Sequence, residues 1–77
     1  MTYAVIWHAR ALSTFYRLPI HSAFIIDRTV LRFAETGEGY VEWVAPHHRL
    51  RAGVHDVTVA IDHAAERITV IAVFRAR

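Results

Sequence analysis

The residues best suited to chemistry in this sequence are cationic and of one kind. All nine positive side chains are arginine, at Arg10, Arg17, Arg28, Arg32, Arg49, Arg51, Arg67, Arg75 and Arg77, with no lysine. A guanidinium is planar and forked and meets phosphate through paired hydrogen bonds, so such a set is compatible with nucleic-acid recognition. A GC-rich genome or a warm habitat produces the same bias, and the absence of Asn, Gln and Cys fits that origin. Six histidines accompany the arginines, and an imidazole, which ordinarily titrates near neutral pH, can take or give a proton. No His-x-x-x-His or His/Glu spacing marks a zinc site, and without cysteine there is no thiolate site. Neither a metal nor a cofactor is expected.

What these groups can do depends on the elements that carry them. Tyr3 to Trp7 is a short β-rich run, apolar at both parities, as expected of a strand covered on both faces. From Ala9 the period changes: Leu12, Phe15 and Tyr16 repeat at i, i+3, i+4 until Pro19 stops a first helix of about two and a half turns. Ser22 is placed to cap a second helix, in which Ala23, Ile26, Val30, Phe33 and Ala34 share one stripe and which Gly37 and Gly39 end. Tyr40 to Pro46 fits either a strand or an extended connection. His47 to Arg51, Val54 to Asp62 and Arg67 to Arg75 are β-rich runs separated by Ala52-Gly53 and by His63-Ala64-Ala65-Glu66, two antiparallel hairpins in sequence. The expected fold class is α+β in the order β-α-α-β-β-β. Two N-terminal helices pack on an antiparallel C-terminal meander, and the first strand joins the sheet.

A two-residue turn at Ala52-Gly53 sets Arg51 opposite Val54, Arg49 opposite Asp56 and His47 opposite Thr58. A four-residue second loop sets Asp62 opposite Arg67, and that register continues to Val57 against Ala72, Asp56 against Val73 and His55 against Phe74. One face then carries Leu50, His55, Val57, Val59, Ile61, Ile68, Val70, Ala72 and Phe74 toward the helices. The other carries His47, Arg49, Arg51, Asp56, Thr58, Thr69 and Arg75, with Ile71 and Val73 as an apolar strip beside them. Two readings fit this cluster. In one, Arg49 and Asp56 form a cross-strand pair worth about 0.2–1 kcal/mol, and Arg51 and Arg75 are solvated edge charges. In the other, arginines from separate strands gathered on one end of one face bind phosphate.

Length and composition bound the rest. Seventy-seven residues make one domain, 1–77, with one small core. A 55% hydrophobic and 21% charged composition excludes disorder. No apolar run approaches the roughly 18 residues of a membrane span, and the first residues lack the basic and apolar regions of a signal peptide, so no membrane partner and a cytoplasmic location are expected.

The run Arg49-Leu50-Arg51-Ala52-Gly53-Val54-His55-Asp56-Val57-Thr58-Val59-Ala60-Ile61-Asp62 resembles the stretch of RelE/ParE-type toxins that reads R-L-R-x-G-D-Y-R-V-x-Y-x-I-D. Ile68 to Arg75 is similar to the last strand of that family, and Tyr3 to Trp7, Ala9-Arg10-Ala11-Leu12 and Leu18-Pro19 look like its opening. The resemblance covers nearly the whole chain. It implies the toxin half of a type II toxin–antitoxin module, silenced by a small acidic antitoxin with an amphipathic segment. RelE-like members cut mRNA on the ribosome with basic residues of the open sheet face and inhibit translation, whereas ParE-like members poison DNA gyrase. Carried over by the resemblance, Arg49 and Arg51 match basic positions of the family's second strand, His47 a position often lysine in RNA-cutting members, and Arg75 the arginine closing the last strand. Asp56 stands where the family usually has arginine, His55 replaces a tyrosine, and no tail follows Arg77.

Cleavage of RNA needs the 2′-OH deprotonated and the leaving 5′-oxygen protonated, and His47, the one histidine that the expected register sets on the open face of the meander, is the candidate acid/base. His48 and His55 fall on the core side. The expected site is therefore His47, Arg49, Arg51, Asp56 and Arg75, in a metal-independent endoribonuclease damped by the Asp56 carboxylate. The alternatives are a gyrase-directed toxin and an inactive homologue that still binds an antitoxin.

Overall fold

Where the chain turns from strand to helix, His8 makes the transition. Its backbone is extended (φ −64°, ψ 144°), and its Nδ1 accepts the Arg10 amide at 3.3 Å, capping the first helix. The computed structural model describes residues 2–76. In chain order its elements are β1 (Ala4–Trp7), α1 (Ala9–Tyr16), α2 (Ile20–Thr36), β2 (Val41–Val44), β3 (His47–Ala52), β4 (His55–Asp62) and β5 (Arg67–Arg75). The second helix starts a turn earlier than a Ser22 cap requires. Pro19 is its N-cap, and the Pro19 carbonyl accepts the Ala23 N–H at 3.0 Å. A proline costs nothing there, because an N–H ahead of the first turn has no helical acceptor. The helix ends as expected at Gly37, left-handed at φ 79°, whose N–H donates to the Phe33 carbonyl at 2.9 Å.

The five strands form one sheet in the order β1-β5-β4-β3-β2, with β1 parallel to β5 and every other pair antiparallel. The α+β class and the addition of the first strand to the sheet are as expected, and the meander gains a fourth strand, β2. Pro46 lies in the turn between β2 and β3, where its missing N–H breaks no ladder bond.

Two registers differ from expectation. Between β3 and β4 the turn is Gly53-Val54, with Ala52 opposite His55 and Arg51 opposite Asp56. Gly53, at φ 66°, takes the left-handed first position, which leaves Ala52 in the ladder. The slip is two residues, so both strands keep their expected faces. Between β4 and β5 the expected register holds from Asp62–Arg67 to Val59–Val70; there Ile71 becomes an extra residue and Thr58 pairs with Ala72. Such a bulge is a one-residue slip and inverts the faces beyond it. Val57 now pairs with Val73, Asp56 with Phe74 and His55 with Arg75. Val73, expected in the open strip, is buried at 6% exposure, while Phe74, expected in the core, is 43% exposed on the open face. Arg75 falls on the side of His55, opposite the side that carries Asp56.

The core forms on the helix-covered face. Ile26, Val30 and Ala34 of α2 and Ala11 of α1 meet Leu50, Val57, Val59, Ile68, Val70 and Val73, and Trp7 packs on Phe15 with ring centroids 4.9 Å apart. Among the described residues no helix is long and apolar enough to cross a membrane. The inverted end of β5 sets a stability order: Val73→Asp is expected to cost at least about 3 kcal/mol, because it buries an unpaired charge, and Phe74→Ser only about 1 kcal/mol. Urea denaturation followed by circular dichroism measures both, and the reverse order would contradict the bulge.

Candidate functional site

On the uncovered face the strands alternate, and the residues pointing outward fall into cross-strand rows. Tyr40, whose carbonyl accepts the Arg51 N–H at 2.9 Å, extends the β2 ladder by one position. One row therefore runs Tyr40, Arg51, Asp56, Phe74 across four strands, and the next runs Glu42, Arg49, Thr58, Ala72. Tyr40, Glu42, Arg49, Arg51 and Asp56 line one small cleft.

The electrostatics of the cleft are those of two unequal pairs. Arg51 Nε donates to Asp56 Oδ1 at 2.8 Å, and Asp56 is only 5% exposed. That is the single side-chain hydrogen bond of this guanidinium among the described residues, and with the side chain 43% exposed its Nη groups reach solvent. Arg49 has a looser partner, Glu42 Oε1 at 3.9 Å from Nη1. The Arg49 guanidinium also lies 5.8 Å from the Phe74 ring centroid, near the outer limit of a cation–π contact.

Of the residues expected in the site, Arg49, Arg51 and Asp56 come together, and Asp56 faces Arg51 rather than Arg49. His47 starts β3 opposite Val44, half-buried, two residues from Arg49 and on the same face. Arg75 does not join them, because the bulge at Ile71 turns it to the other side. His48 lies on the side away from the cleft, edge-on to Trp43 with centroids 5.0 Å apart, and His55 is buried as expected at the β3–β4 turn. Sequence reasoning missed Tyr40, Glu42 and Phe74. The alternation Tyr40, Glu42, Val44 was available as a signal once residues 41–44 are read as a strand; nothing local announces Phe74. Among the described residues no three His, Asp or Glu side chains converge as a metal site would require.

No protein-family model and no curated protein sequence matches the chain. Solved structures do. The archaeal RelE–RelB complex from Pyrococcus horikoshii OT3 contains a chain that superposes with a TM-score of 0.79 at 14% identity, over 97% of this chain and 96% of that one. The isolated E. coli RelE toxin matches with a TM-score of 0.78 at 15% identity, over 99% of this chain and 86% of that one. The toxin–antitoxin complex RelBE2 from Mycobacterium tuberculosis gives 0.69 at 18%, over 97% and 99%. At such identities the likeness is one of architecture. The chain has the RelE fold, carried by nearly all of its length.

The two ion pairs should separate in a thermodynamic measurement. Arg51→Ala leaves the Asp56 carboxylate buried without a partner and is expected to cost about 2–3 kcal/mol. Arg49→Ala, which breaks only a half-exposed pair, is expected to cost less than about 1 kcal/mol. The double variant Arg51→Ala/Asp56→Ala recovers much of the first loss. Equal effects of the two single substitutions in urea titrations would show that the Arg51–Asp56 contact does not persist in solution.

Proposed function

We propose that this protein is the toxin of a type II toxin–antitoxin module, a RelE-like, metal-independent mRNA endoribonuclease that acts on the ribosome in the cytoplasm, inhibits translation and is damped by Asp56. The observation that carries this reading is the likeness to the isolated E. coli RelE toxin over 99% of this chain, with Arg49, half-buried, and Arg51, exposed, two residues apart on the open sheet face. In this role the two guanidinium groups hold the scissile phosphate and offset the charge that builds on it in the transition state. His47 moves the proton between the attacking 2′-OH and the leaving 5′-oxygen. Asp56 occupies the Nε of Arg51 and places a negative charge one strand from the phosphate, which weakens both binding and charge stabilisation.

A second reading rests on the same pairs. Because both arginines of the cleft already face carboxylates, the fold can serve binding without cleavage, as in a gyrase-directed toxin or an inactive antitoxin-binding homologue. Induction of the protein alone, with primer extension on cellular mRNA, separates these readings. Cut transcripts support the first, and intact transcripts with DNA-damage signalling support the gyrase-directed one. Asp56→Asn keeps an acceptor for Arg51 Nε and removes the charge, so cleavage is expected to rise by about tenfold, the equivalent of about 1.4 kcal/mol. Loss of cleavage in Asp56→Asn with the fold intact would refute damping.

The proposed partner is a small acidic antitoxin with an amphipathic segment, consistent with neighbours that are themselves RelE–RelB complexes. The strip expected to receive it, Ile71 with Val73, is lost because Val73 is in the core. An exposed apolar stripe lies instead on α2, where Ile20, Phe24 and Leu31 are exposed along one face and Arg28 lies over the Phe24 ring at 5.6 Å. An acidic amphipathic segment fits such a stripe. Phe24→Asp is expected to weaken capture of the product of the adjacent gene by about tenfold or more, measured by calorimetry. Unchanged affinity would exclude α2 as the docking face.

A further inference from the structure

The row that crosses the open face is aromatic at both ends. Tyr40 is 70% exposed and Phe74 43% exposed, and between them are only Arg51 and its buried partner Asp56. A planar ring beside a guanidinium on an open sheet face is what an unpaired base stacks on. Three inter-strand spacings of about 4.8 Å separate the two ends, roughly 14 Å. That is several times the ~3.4 Å step of stacked bases. The two rings therefore cannot share one base or two bases that remain stacked on each other. They suit a strand whose bases are splayed apart, with the backbone between them passing over Arg51. Arg49, near the Phe74 ring, extends that end of the platform with a second planar group.

We propose that Tyr40 and Phe74 are two base-stacking platforms that hold single-stranded RNA across the open face, with the Nη groups of Arg51 on the intervening phosphate. This rests on the RNA-directed reading and adds to it what the site takes: unpaired, splayed bases, with stacking that tolerates any base. Asp56, whose charge damps the site, also holds Arg51 between the two rings through Nε, one strand from Tyr40 and two from Phe74.

The test is binding of the full-length protein to a fluorescein-labelled single-stranded oligoribonucleotide of mixed sequence, and to the duplex of the same length, by anisotropy across a salt series. Tyr40→Ala and Phe74→Leu are each expected to weaken single-strand binding by about tenfold while leaving its salt dependence unchanged. Tyr40→Phe, which keeps the ring, should bind like the unmodified protein. Arg51→Ala should flatten the salt dependence by about one phosphate contact. The duplex should bind more weakly than the single strand. Full affinity in Tyr40→Ala and Phe74→Leu, with Arg51→Ala still impaired and folding verified by circular dichroism, would overturn the platforms and leave the RNA-directed reading standing. Equal affinity for duplex and single strand would overturn them as well. Absence of single-strand binding by the unmodified protein would overturn both.

Discussion

The pairing of β4 with β5 is the contact on which the rest of this molecule depends, and its decisive feature is the one extra residue, Ile71, in β5. A strand of period two has no freedom to send two consecutive side chains to the same face unless the ladder is broken. The bulge breaks it between Val59 and Thr58, so Val73 closes the core under α1 and α2 while Phe74 surfaces next to Asp56. Without it, Phe74 would have to enter a core that already holds Leu50, Val57 and Val70 at full burial. A ring there would overpack a small interior, and the smaller Val73 would be left in water. The bulge is thus the arrangement that lets a nearly all-apolar strand cover the helices on one side and still furnish the open face on the other.

The second constraint is the buried carboxylate of Asp56. An ion pair with one nearly buried member gains little net stability, because desolvation offsets most of the attraction. What such a pair does supply is geometry: Arg51 is held through Nε, and its Nη donors keep no side-chain partner among the described residues. Arg49, paired loosely with half-exposed Glu42, has no comparable restraint. Two arginines that look equivalent as Arg49-x-Arg51 in the sequence therefore differ in mobility and in what their removal does to the fold.

Much of this was legible from the residues. The stripe Ile26, Val30, Ala34, the glycine stop at Gly37 and the alternating apolar faces of β3 and β4 all follow from periodicity, and an even slip at the Gly53 turn left those faces intact. The turn itself was ambiguous because glycine can lead or follow in a two-residue loop and a left-handed φ at Gly53 suits either place; the pairing of Ala52 with His55 decides it. β2 was obscured by Gly39 and Pro46 at its borders, both of which lie outside the strand. The bulge had no signal at all. Ile68 to Phe74 contains a single polar residue, Thr69, which precedes the bulge, so no polar side chain marks the inversion beyond it. That silence misplaced Ala72, Val73, Phe74 and Arg75 together, which is how one unrecognised residue removed Arg75 from the expected site and hid Phe74.

The charge balance of the cleft decides how such a face can work. Arg49 and Arg51 against Glu42 and Asp56 leave the cluster with no net charge, and the whole chain carries only +2. Affinity for a polyanion that arises from released counterions scales with the number of phosphates neutralised, so this face has little of that to offer. Binding there must draw on directed contacts instead: a guanidinium pre-oriented by Asp56 loses less freedom on meeting a phosphate, and exposed rings contribute through contact area, which salt does not screen. In a site of this composition the carboxylate and the aromatic side chains are complementary, because the charge that weakens long-range attraction also supplies the rigidity that short-range recognition requires.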